Sequence, residues 1–157
     1  LQVCTAGNLR TTLLVAELLT RADRLDRLLI ATDTPTGSGI MPLGMLYTIS
    51  HLCSLGKMAP EVAVAAATGN NARVYRLNSG TIAQGRDADV VLIDSCMGGS
   101  KSDALSALTN GDLPAVGAVV TAGIPRFVGR SRNTPETMRR VRVARSSVVQ
   151  DFSAASH

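Results

Sequence analysis

The stretch that decides the fold is Leu28-Leu29-Ile30-Ala31-Thr32-Asp33-Thr34-Pro35-Thr36-Gly37-Ser38-Gly39. It opens with an apolar run that does not alternate, the pattern of a strand buried on both faces of a parallel sheet. It then turns polar and glycine-rich, with a single carboxylate, Asp33, at the mouth of the loop. Working back toward the start, residues 1–5 form a second short apolar strand that runs into the loop Ala6-Gly7-Asn8. Between the two strands, Leu13, Leu14, Ala16, Leu18 and Leu19 recur at helical spacing over residues 10–22, until Asp23 and Asp26 break the pattern. Strand, helix and strand joined by short links make a βαβ unit.

Working forward, Met41, Met45, Leu46, Ile49, Leu52 and Cys53 mark an amphipathic helix that stops near Gly56 and carries His51 on its polar side. Residues 60–68 predict a short alanine-rich helix with proline in its first turn, ended by Gly69. Asn70 or Asn71 can cap another helix reaching Leu77. The texture changes after Asn78-Ser79-Gly80. Residues 81–83 and 89–93 are β-type runs around the turn Gln84-Gly85-Arg86, and residues 102–108 predict a small helix closed by Gly111. Residues 116–121 and 124–128 read as a hairpin through Ala122-Gly123. The chain therefore starts α/β and ends mostly β, with one boundary near residue 80. The reading is residues 1–79 as one unit, 80–143 as a small β unit, and 144–157 as a disordered tail.

Composition narrows the function classes. The chain has 157 residues, 45% of them apolar but only 3% aromatic, so its core is expected to be aliphatic. No apolar run reaches the roughly 18–20 residues needed to cross a bilayer, and the start lacks the basic and apolar regions of a secretory leader. Leu1-Gln2-Val3 instead reads as the middle of a longer chain. Cys4, Cys53 and Cys96 are odd in number and widely spaced, which points to reduced, buried thiols and a cytoplasmic setting. The net charge of +4 is uneven: residues 1–125 hold nine Lys/Arg against ten Asp/Glu, and residues 126–157 hold seven against two. The basic cluster Arg139, Arg140, Arg142 and Arg145 has neither aromatics nor a reading helix beside it. It is expected to be solvated or to touch a partner, not nucleic acid.

Ready-made catalytic sets are missing. There are two histidines, one of them the last residue, with no H-x-H, no H-E-x-x-H, no Ser/His/Asp set and no Gly-Lys-Ser phosphate loop. Asp33 at the C-terminal end of a buried strand remains. In α/β barrels the active site lies on that face. A carboxylate there can ligate a metal or accept a proton; a helix cap or a turn residue accounts for it as well.

Three stretches are more specific. Residues 29–39 resemble the eighth strand and following loop of amidohydrolase-superfamily barrels. Residues 60–72, ending in Thr68-Gly69-Asn70-Asn71-Ala72, are similar to the helical T-x-N-x-A segment that follows it. Residues 80–94 resemble that family's G-x-I-x-x-G-x-x-A-D-x-V-x-x-D return into its small β domain. They occur in family order at family spacing, and the resemblance covers residues 1 to about 143. The runs DTPTGSGIMPLGML (33–46), CTAGN (4–8), ALTNGDLP (107–114) and SRNTP (131–135) are similar to a branch that opens a six-membered cyclic enamide, a partly reduced oxonicotinate, with release of ammonium.

The resemblance implies the last two strands and helices of a (β/α)8 barrel followed by part of a small β-sandwich. It implies that Asp33 binds a divalent metal, zinc or a binuclear zinc/iron pair, and serves as general acid/base. Thr34, Pro35, Thr36 and Ser38 would line the pocket mouth, and Asn8 would contact substrate. It further implies that the other metal ligands belong to a longer enzyme, that the 157-residue piece alone is inactive, and that the whole is a homo-oligomer acting on a small cyclic amide. A dihydroorotase-, isoaspartyl-peptidase- or imidazolonepropionase-like member, or a non-catalytic interaction module, stays open.

Overall fold

The computed structural model describes residues 1–4, 6–34, 42–129 and 131–142. The expected tail 144–157 and the loop residues Pro35, Thr36 and Ser38 lie outside them. The opening unit is βαβ: β1 (Gln2–Val3), α1 (Leu9–Arg21) and β2 (Leu29–Ile30), with the strands parallel and Val3 opposite Ile30. Leu28, Leu29 and Ile30 are all buried, as the unalternating run requires. The buried face of α1 is Thr12, Ala16 and Leu19. Leu14 and Leu18, expected in the apolar stripe, face outward instead.

Three helices follow: α2 (Gly44–Ser54), α3 (Pro60–Ala67) and α4 (Gly69–Tyr75). Pro60 occupies the first turn of α3, where its missing N–H costs nothing. Its small side chains let Ala63 and Ala66 reach the core. The core joins Val3, Ala16, Leu19, Leu28, Ile30, Ile49, Leu52, Cys53, Met58, Ala63 and Ala66 to Leu108 from α5 (Ala104–Thr109).

The β-rich part is a three-stranded antiparallel sheet, β3 (Val90–Asp94), β4 (Ala115–Thr121) and β5 (Ile124–Val128), in the order β3-β4-β5. Among the described residues the one other sheet is the β1–β2 pair, so the expected sandwich is not formed by them. The hairpin turns at Ala122 and Gly123, both at positive φ, as the twist of the flanking strands favours. Residues 81–83 were expected to be a strand. They form none, because no described strand lies beside them to take their N–H and C=O groups, and Ile82 is 96% exposed.

The acids of the 80–94 stretch hold turns and strand ends. Asp87 Oδ1 accepts from Asn78 Nδ2 at 2.9 Å, and Asp89 Oδ1 accepts from the Ala122 N–H at 2.8 Å. Asp94 accepts from the Arg139 backbone N–H at 2.8 Å and from its guanidinium at 2.5 Å. Arg139, expected to be solvated or to touch a partner, keeps 74% of its side-chain surface exposed and also pairs with Asp94. No helix among the described residues is long and apolar enough to cross a membrane.

Candidate active site

Parallel pairing puts the loops after β1 and β2 at the same end of the sheet. Asp33, three residues past β2, is exposed there, with its backbone in the left-handed region at φ 58°. Aspartate is among the few residues besides glycine that adopt this conformation readily. Thr34 follows, exposed, its N–H 3.4 Å from the Thr32 hydroxyl oxygen, which accepts.

Asn8, in the loop after β1, is the N-cap of α1: its Oδ1 accepts from the Arg10 and Thr11 N–H groups at 3.0 and 3.1 Å. That explains its position before the helix without any ligand. His51 is half-buried, not simply displayed on a polar face. Its Nε2 lies 3.1 Å from the Leu9 carbonyl and ties α2 to the first turn of α1.

Asn70 and Asn71 were expected to cap α4. The structure gives them a different task. Asn70 Nδ2 donates to the Leu28 carbonyl at 2.9 Å and to Leu25 at 3.1 Å. Asn71 Nδ2 donates to the Ile30 carbonyl at 2.9 Å and to Ala67 at 3.0 Å. The segment 68–72 therefore grips the strand that leads to Asp33. No local pattern in the sequence signals a bond that spans 41 or 42 residues; the family-like T-x-N-x-A segment was the one available sign.

All three cysteines are free thiols; Cys53 is buried while Cys4 and Cys96 are partly so. Burial, with a smaller contribution from Glu61, pushes the Cys53 thiol up to about 11, so it stays protonated at neutral pH and packs as a small apolar side chain. For a metal, the described residues offer the strand-end carboxylate of Asp33. They contain no group of three or more His, Cys, Asp or Glu side chains placed to share an ion.

Residues 8–138 match the amidohydrolase family. Over 143 residues the chain is 36% identical to an enamidase from Eubacterium barkeri, covering 91% of this chain and 37% of that enzyme. The crystal structure of enamidase, a member of the amidohydrolase superfamily, superposes with a TM-score of 0.85 at 37% identity, over 88% of this chain and 36% of the other. A β-aspartyl dipeptidase from Fervidobacterium islandicum AW-1 superposes with a TM-score of 0.53 at 21% identity, over 85% of this chain and 32% of the other, a likeness of fold alone. The chain thus spans 37% of the length of the enamidase it matches. With the family matched across most of its length and the βαβ unit ending on a strand-end aspartate, the chain belongs to the amidohydrolase family.

Proposed function

We propose that residues 1–79 are the last two strands and helices of a (β/α)8 barrel and residues 80–143 part of its small β domain, in a metal-dependent hydrolase that opens a cyclic enamide. The observation that carries this reading is Asp33: exposed, at the C-terminal end of a buried parallel strand, in a chain 36% identical to an enamidase. A divalent cation, zinc by preference, generally takes three protein ligands at a catalytic site. Asp33 fits as one of them, and the rest would come from outside the described residues.

When bound, such a cation would make water acidic enough to supply hydroxide near neutral pH and would polarise the amide carbonyl. Asp33 takes the proton from the attacking water as its oxygen bonds to the amide carbon. The C–N bond then breaks, and Asp33 returns that proton to the departing ring nitrogen. The opened product is an enamine; it takes a proton on carbon to become the iminium, a second water adds to the iminium carbon, and ammonium leaves as the aldehyde forms. Thr34 would contact substrate beside Asp33, and Asn8 would do so through its side-chain NH2 while its Oδ1 caps α1; Pro35, Thr36 and Ser38, expected at the same mouth, lie outside the described residues.

Asp33→Asn in the full-length protein is the test. Asparagine tolerates the same left-handed backbone, so folding is preserved while the proton carrier is lost. Turnover of a tetrahydro-6-oxonicotinate-type enamide should fall by about 10²–10⁴-fold with an unchanged melting temperature. Chelation should abolish wild-type turnover, and a restored divalent metal should return it. An Asp33→Asn enzyme that runs at the wild-type rate defeats the assignment.

A further inference from the structure

Leu29 and Ala31 direct their N–H groups to the Leu1 and Val3 carbonyls of β1, at 2.8 and 2.9 Å. Backbone groups alternate sides along a strand, so Leu28 and Ile30 point their carbonyls to the opposite edge of β2. That edge is where the Asn70 and Asn71 amides sit, giving each of these carbonyls a donor at 2.9 Å. Leu28 and Ile30 are themselves fully buried, so no solvent replaces the donors. Asn71 Nδ2 also donates to the Ala67 carbonyl at 3.0 Å, which locks its own amide to the end of α3. The pinned carbonyl of Ile30 is three residues ahead of Asp33, whose own φ is 58°.

We propose that Asn71, assisted by Asn70, is a positioning residue for Asp33. Its amide fixes the level of the β2 terminus against α4, and with it where the Asp33 carboxylate stands. The proposal rests on the reading of Asp33 as the proton carrier. Asn71 touches no reacting atom; it acts through the strand.

The full-length enzyme with Asn71→Asp tests it, because the substitution keeps the shape and removes the donor. The readouts are kcat and KM on the cyclic enamide, and amide hydrogen exchange of the peptide covering residues 28–34 in metal-free protein. The expected result is a folded variant whose kcat falls by roughly tenfold to a hundredfold while KM stays within about threefold, as misplacement of a catalytic group requires, together with faster exchange over 28–34. A folded variant with wild-type kcat, or with wild-type exchange over 28–34, overturns the proposal. Should Asn71→Asp not fold, Asn71→Ser, too short to reach the Ile30 carbonyl, carries the same two outcomes. Asp33→Asn run in parallel separates the failures. Full activity in Asp33→Asn removes the reading of Asp33 itself, whereas an inactive Asp33→Asn beside a fully active Asn71→Asp removes only the positioning role.

Discussion

Gly80 stands where two family-like segments meet. Its φ is +82°, and a Cβ added there would come within 2.8 Å of Ala72 Cβ and 2.9 Å of the Thr68 carbonyl oxygen. Both neighbours belong to the T-x-N-x-A segment, so the glycine that opens the 80–94 stretch is the residue that lets α4 lie against it. Gly80→Ala should destabilise the protein by about 1–3 kcal/mol, combining backbone strain with a contact that cannot relax. A thermal or urea melt of the two proteins measures it, and an unchanged midpoint would show that the helix moves aside freely. At this scale the sequence was uneven as a guide. Asp33 stood out because a lone carboxylate followed an apolar run. Asn70 and Asn71 were visible as capping types, yet neither caps α4, while Asn8, expected beside substrate, caps α1. Whether a polar side chain bonds its own helix or a strand some 40 residues away depends on tertiary packing, which local spacing does not encode.

At the scale of elements, the βαβ unit and the hairpin were legible because each rests on a short-range rule: an apolar run of strand length, a 3.6-residue period, and a glycine turn. The hairpin is also the element with the clearest flaw. Ala122 adopts φ 50°, a conformation that costs an L-residue with a Cβ, next to Gly123 at φ 77°. Asn-Gly is the preferred pair for such a turn. Ala122→Asn keeps the N–H that Asp89 accepts and should stabilise the protein by about 0.5–1 kcal/mol, read as a higher denaturation midpoint. The 81–83 strand failed for the opposite reason. β propensity marks residues that suit a sheet, but pairing needs a partner, and the described residues bring none alongside.

For the whole molecule, the decisive long-range contact is the Asp94–Arg139 pair, which binds the end of β3 to the segment 131–142. Around it, Met138 N–H donates to the Ser95 carbonyl and Met97 N–H to the Glu136 carbonyl, at 2.9 and 2.8 Å. The Thr134 hydroxyl oxygen accepts from the Val116 N–H at 3.1 Å. Hydrogen bonds from Arg139 hold the Asp94 carboxyl down at about 2, below its ordinary 3.8. A carboxylate whose folded pKa is depressed stabilises the fold above its unfolded pKa, so this contribution is complete above about pH 4 and is lost as pH falls from there toward 2. Asp94→Asn should cost about 1 kcal/mol at pH 7, a charge-assisted hydrogen bond weakened by solvent because the Arg139 side chain is 74% exposed. The gap to wild type should close on acidification to pH 2 in parallel melts; a gap independent of pH would mean that charge is not what matters. The sequence showed the acid and the arginine cluster separately and joined neither to the other, since a pairing across 45 residues has no periodic trace. The same latch sets the terms for handling the protein. A version cut after Gly129 would strand the Asp94 carboxylate and the Val116 and Met97 amides together, so fusion tags and domain junctions belong beyond Arg142, and a peptide spanning 131–142 is the natural piece to supply separately in a split reporter.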